Sequence, residues 1–90
     1  MTIVRRTKKF EKDLAQVPSY LRDKVIFWVE LVEMVGLREV RIKPGFHDEP
    51  LKGKRTGQRS VRLNISYRLI YREIRSEVEI LLIEVTKHAY

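Results

Sequence analysis

QRSVRLNISYRLIYR, Gln58 to Arg72, is the stretch whose reading decides the fold. Val61 and Leu63 point one way and Ser60 and Arg62 the other, which is the period of two that a strand imposes on its side chains. Asn64-Ile65-Ser66 then supplies residues that favour a turn. From Tyr67 the alternation resumes, with Tyr67, Leu69 and Tyr71 opposed to Arg68, Ile70 and Arg72. Two alternating runs around a short polar turn predict an antiparallel hairpin with one apolar face that needs cover.

Downstream, Glu77 to Val85 is the most apolar segment. Leu81, Ile83 and Val85 fall on one side and Val78, Ile80 and Leu82 on the other, as expected of a central strand covered on both faces. Upstream, residues 2–6 form a short strand candidate. Thr7 is placed to cap a helix whose Phe10, Leu14 and Val17 share a face. Pro18-Ser19 interrupts it, and Ser19 is placed to cap a second helix running to about Val35, with Gly36 as its stop. Leu21, Val25, Trp28, Val29 and Val32 make the main stripe of that helix. Phe27, Leu31 and Met34 add a second stripe beside it, so the apolar arc covers around half the surface. Such a helix is either sandwiched between a helix and a sheet or leaves an edge for a partner.

Between Gly36 and Gly57 a brief strand is expected at Leu37 to Ile42, while Pro44-Gly45 and Pro50 exclude a long regular element. An irregular connection of this length is a candidate active-site loop. The whole reads as one α+β domain over residues 1–90, ordered β-α-α-β-β-β, with two N-terminal helices on one face of a small, mostly antiparallel sheet. Arg62 and Arg68 then project from neighbouring strands on the other face, where the loop and the C-terminal tail can converge.

Composition narrows the partners. With 43% hydrophobic and 34% charged residues the chain is expected to fold around a core, and its formal charge of +7 makes polyanions its natural counterpart. The absence of cysteine excludes disulfides, thiolate catalysis and a thiol-based zinc site. His47 and His88 are too far apart in sequence to form a paired ligand motif, so no metal and no cofactor are expected. No apolar run has the length of a signal or a membrane span, so a soluble cytoplasmic protein with no membrane partner is the expectation.

These residues suit one reaction in particular. Cleavage of RNA by its own 2′-hydroxyl needs a base, cations for the phosphorane charge, and an acid for the leaving 5′-oxygen. Glu49, in a basic loop, is a candidate base; its alternative is a plain solvent-facing carboxylate. Arg68, inside a strand, offers bidentate phosphate recognition; its alternative is a structural ion pair with Glu79 or Glu84. His88 has a pKa suited to proton transfer near neutrality, or is incidental near the end of the sequence. Tyr90 is placed to stack on a base or donate a proton. Lys52, Lys54, Arg55, Arg59 and Lys87 are candidates for contacts to the RNA backbone, which position a strand without selecting its sequence. Gly53 and Gly57 lack the strand, glycine loop and helix setting of a nucleotide fingerprint.

Three pieces resemble the RelE/ParE superfamily of bacterial toxin–antitoxin toxins: Glu49-Pro-Leu-Lys-Gly53, Ser60-Val-Arg-Leu leading to Tyr67-Arg-Leu-Ile-Tyr71, and the ending Glu84-Val-Thr-Lys-His-Ala-Tyr90. With the opening strand and two helices, the resemblance spans nearly the whole chain. It implies a toxin of a type II system, closest to the ribosome-dependent mRNA interferases of the RelE, YoeB and HigB type, which cut message in the A site without a metal. In that likeness Glu49 is the general base, Arg62 and Arg68 hold the scissile phosphate, Lys52 and Lys54 support them, and His88 and Tyr90 are the acid and the stacking group. YoeB-like members end with His followed directly by Tyr, whereas Ala89 intervenes here. The implied partners are the ribosome, mRNA and an antitoxin bringing an acidic, partly helical segment to the basic face or to the Phe27/Leu31/Met34 edge. A ParE-like gyrase poison shares the architecture, and a noncatalytic basic RNA-binding protein shares the charge.

Overall fold

Thr7 is where the N-terminal segment changes character. Its Oγ1 accepts the Phe10 N–H at 2.9 Å and donates to the Ile83 carbonyl at 2.6 Å, so one hydroxyl caps a helix and ties it to a distant strand. The computed structural model describes residues 2–87 of the chain; His88, Ala89 and Tyr90 lie outside the described residues. Strand β1 (Ile3–Arg6) is followed by helices α1 (Lys8–Gln16) and α2 (Ser19–Val35). Ser19 is not the cap of α2. That place belongs to Pro18, whose carbonyl accepts the N–H groups of Leu21 at 3.0 Å and Arg22 at 3.2 Å, leaving Ser19 already inside the first turn.

The strand expected at Leu37 to Ile42 is instead a third helix, α3 (Leu37–Arg41). Gly36 causes this: at φ +93° it closes α2 through its N–H to Val32 O (2.9 Å) and opens the next turn through its carbonyl to Val40 N (3.3 Å). Leu37 and Val40, three apart, then both face the core with no exposure. A turn of 3₁₀ helix at Pro44–Phe46 leads to the two-residue strand β2 (Glu49–Pro50), and a second at Gly53–Arg55 leads to β3 (Gln58–Arg62). Strands β4 (Tyr67–Arg75) and β5 (Glu79–Lys87) complete a sheet ordered β1-β5-β4-β3-β2, antiparallel except for the β1–β5 pair. The hairpin turn between β3 and β4 is built by Asn64, whose Oδ1 accepts the N–H groups of Ser66 (2.8 Å) and Tyr67 (2.7 Å).

The helices cover one face of the sheet. Phe10, Leu21, Val25, Trp28 and Val32 meet Val61, Leu63, Leu69, Tyr71, Ile80 and Leu82 in a single core, with the Trp28 and Tyr71 rings tilted at 48° and 5.2 Å apart. The uninterrupted alternation expected along β5 fails at one point. Ile70 pairs with Glu84 and Tyr71 with Leu82, so Ile83 is an extra residue in a bulge, and Val85 joins Ile80 and Leu82 on the helix side instead of Leu81.

β1 accompanies β5 only as far as Leu82. Beyond it, α1 takes the place of another strand: Val85 N–H donates to Asp13 Oδ2 at 3.2 Å, beside the Thr7 bond to Ile83. An edge that would otherwise display unpaired backbone is thereby covered. At the other end of β5, Glu79 is buried between Arg5 and Arg75, and the hydrogen bond from Arg5 holds its carboxyl below the ordinary glutamate value. No helix among the described residues is long and apolar enough to cross a membrane.

Candidate active site

The face of the sheet away from the helices carries two cross-strand rows set by the register. Glu49 lies opposite Ser60, Ser60 opposite Ile70, and Ile70 opposite Glu84. In the next row Arg62 lies opposite Arg68 and Arg68 opposite Thr86. The segment after β2 folds back over part of this face, so Leu51 and Arg55 join Glu49, Ser60, Arg68, Ile70 and Thr86 around a cavity of about 210 Å3. That cover explains why Ser60 and Ile70 are buried although no helix reaches them. The volume falls below the roughly 300–1,000 Å3 of pockets that enclose a whole small molecule.

Arg68 is the best-held cation of the site. It is only 7% exposed, and its Nη1 donates to the carbonyls of Asn64 (2.8 Å) and Tyr67 (3.1 Å) in the hairpin turn. It pairs with neither of the carboxylates that a structural role would require: Glu79 binds Arg5 and Arg75, and Glu84 binds Arg55 and Lys9. Among the described residues Nε and Nη2 of Arg68 have no acceptor, leaving one edge of the guanidinium fork for a ligand. Arg62, directly across, is exposed and likewise unpaired among the described residues. Two like charges facing each other on one pair of strands cost roughly 0.2–1 kcal/mol, a cost that an anion between them removes.

Glu49 is exposed at the rim of the cavity, across the sheet edge from its neighbour Asp48. Lys52 and Lys54 are exposed on the covering loop. Arg55 lines the cavity in an ion pair with Glu84, which also takes Lys9 at 3.5 Å. Arg59 does not share the face expected for an RNA contact. It stands opposite Tyr71 on the helix side, where its Nε donates to Asp48 at 2.6 Å. Lys87, opposite Tyr67, also starts from the helix side, at the exposed end of β5. His88 and Tyr90 lie outside the described residues. Among those described, no three His, Cys, Asp or Glu side chains gather as a metal site.

Arg72 and Asp48 do not stand out in the sequence as site residues. Arg72 continues the Arg68, Ile70 alternation onto the open face, is exposed, and has no carboxylate partner among the described residues. Nothing in the sequence distinguishes Asp48 as a loop aspartate that turns inward. Its carboxylate has no exposure and accepts from both Arg59 and Tyr71, the latter at 2.5 Å. Burial, followed by the Asp48 charge, raises the Tyr71 phenol well above its ordinary value.

The sequence matches no family model, and no curated protein is similar to it at a significant level. Solved structures are similar over nearly the whole chain. A YoeB/ParE toxin from Agrobacterium tumefaciens is 19% identical, with 98% of this chain and 100% of that one covered and a TM-score of 0.75. YafQ from E. coli is 16% identical over 98% of this chain and 94% of its own, at 0.77. A metal-bound toxin from Helicobacter pylori is 27% identical over 98% and 96%, at 0.67. The element order, the helix-covered sheet and these end-to-end likenesses agree, and the chain has the fold of these toxins.

Proposed function

We propose that the chain is the toxin of a type II toxin–antitoxin system and a ribosome-dependent endoribonuclease that cuts mRNA in the A site. The observation that carries this reading is the pair Arg62 and Arg68, opposed on the open face with no carboxylate partner among the described residues, beside a cavity with Glu49 on its rim. Glu49 takes the proton of the 2′-hydroxyl; the 2′-oxygen attacks the adjacent phosphorus; Arg68 and Arg62 hold the phosphorane charge. The P–O5′ bond breaks, and a proton goes to the leaving oxygen, leaving a cyclic phosphate and a free 5′-hydroxyl. His88 is the acid and Tyr90 the base-stacking group in this reading, which for these two rests on the sequence resemblance. Lys52 and Lys54 meet the RNA backbone from the covering loop. Arg55 joins them if phosphate displaces Glu84, and Lys87 serves the same end from the tip of β5.

The test is primer-extension mapping of a defined message with purified ribosomes. Glu49→Gln should slow A-site cutting by roughly a hundredfold or more while leaving ribosome binding in place. Cutting by E49Q at the wild-type rate would remove Glu49 from the chemistry. An intact message with the wild type would turn attention to DNA gyrase, assayed by supercoiling.

An antitoxin in this scheme meets two different surfaces. The basic sheet face takes an acidic segment. On α2, Phe27, Leu31 and Met34 border a groove of about 460 Å3 whose rim is Glu30 and Glu33, so an apolar helix fits there and an acidic one is repelled. Met34 is 73% and Phe27 55% exposed, an unusual display of large apolar side chains. Met34→Asp should weaken calorimetric binding of the cognate antitoxin by about tenfold or more, the loss of one apolar anchor. Equal affinity for M34D and wild type would take the groove out of the interface.

A further inference from the structure

Asp48 and Glu49 are consecutive, and the chain sends their side chains to opposite sides of the sheet edge. Glu49 sits at the rim of the open-face cavity; the Asp48 carboxylate is enclosed on the helix side with no exposure. Arg59 Nε donates to Oδ1 at 2.6 Å and the Tyr71 hydroxyl to Oδ2 at 2.5 Å. These donors are direct cross-strand partners on β3 and β4, so Asp48 is clamped to two strands at once. Tyr71 is itself fully buried, its ring packed against Trp28.

Little else holds Glu49. Strand β2 is two residues long, and Pro50 has no N–H to give to the ladder. The next backbone anchor is Leu51 N–H to Gln58 O at 2.9 Å. From the left-handed His47 at φ +45° to that bond, the buried carboxylate of Asp48 is the one side-chain clamp on the segment among the described residues.

We propose that Asp48, held by Tyr71 and Arg59, is a positioning residue that sets the Glu49 carboxylate at the cavity opposite Ser60 and Arg68. This rests on the reading of Glu49 as the base. The clamp acts from the far face of the sheet and touches no RNA. Its effect passes through one peptide unit, and a base displaced by about an ångström can lose as much as a hundredfold in rate.

The decisive variants are Tyr71→Phe, which keeps the ring against Trp28, and Asp48→Asn, which keeps the shape but gives one of the two donors an N–H in place of an acceptor. Amide exchange is measured on the protein alone. In Y71F the Leu51 N–H should exchange roughly tenfold faster or more relative to that of Ile80 in β5, because opening is local to the clamped segment. In ribosome-dependent cleavage, Y71F and D48N should lower kcat roughly tenfold to a hundredfold with little change in KM. In an E49Q background the same Y71F change should alter the rate by less than about twofold, because the group it positions is already gone. An equal loss in the wild-type and E49Q backgrounds would overturn the proposal, as would unchanged Leu51 exchange. Should the wild type itself fail to cut, the base reading falls, and Leu51 exchange alone decides whether the clamp holds the segment.

Discussion

Arg68→Ala should abolish message cleavage, with a loss of at least about a hundredfold to a thousandfold, the effect of removing one preorganised donor from a developing oxyanion. The size of the expected loss follows from how the guanidinium is held. Two carbonyls of the hairpin turn, Asn64 O and Tyr67 O, fix Nη1, so on the proposed function the remaining edge of the fork would meet phosphate without first losing rotamer freedom. Arg62 is exposed and has no partner among the described residues, and its removal should cost less. Lysine at position 68 should restore little, because an ammonium cannot span two phosphate oxygens while reaching the turn. The lost bonds are to carbonyls at a turn near solvent, so the stability cost should be near 1 kcal/mol. Primer extension beside a thermal melt separates the two effects: normal cutting by a folded R68A protein would exclude Arg68 from the site.

Asp48→Ala should produce the largest loss of stability among single changes at the site. Removing one partner of a fully buried pair costs roughly 3–5 kcal/mol. Arg59 keeps 21% of its side-chain surface in contact with water and can be partly resolvated, which brings the expectation to the lower end of that range. The Tyr71 hydroxyl cannot, since it is buried with its ring. That burial also gives the alkaline limb a definite sign. The Tyr71 phenol ionises well above its ordinary value of about 10 in the fold, so its contribution is fully present below that value and is lost as pH rises through the raised one. Urea midpoints should therefore fall between about pH 9 and pH 11 more steeply for the wild type than for Y71F. Parallel curves would mean that Tyr71 ionises freely in the folded protein.

The parts of the fold legible in the sequence are those in which one periodicity runs long enough to declare itself. The hairpin at Gln58 to Arg72 and helix α2 from Ser19 to Val35 read directly, because each places every second or every third and fourth residue on a buried face. Helix α3 was missed because five residues hold only one helical repeat, and Val40 and Ile42 suit a strand equally well; the left-handed Gly36 that settles the matter is visible only as a helix stop. The bulge at Ile83 is invisible for a related reason, since every residue from Ile80 to Ile83 is apolar and no polar partner marks the slip. The shared open face of Arg62 and Arg68 was legible from alternation, whereas whether they and Glu49 act in catalysis rests on the proposed function. The inward turn of Asp48 was not legible, and neither was the capture of Arg59, because both depend on Tyr71, a residue 23 positions from Asp48 in sequence.

The closing of the sheet by its most distant pieces has a consequence for how the protein is made. Thr2 binds Glu77, Thr7 binds Ile83 and Asp13 binds Val85, contacts that span 75, 76 and 72 residues. None of them exists until Glu77 has been synthesised, and two of them wait for β5 itself, so α1 spends most of translation without the strand that covers it. Such topology makes a slow folder, because a long loop must close before any of these bonds is gained. The apolar faces of a half-made chain are then open to capture, and a partner that meets α2 during synthesis has an advantage over one that must wait for the finished fold.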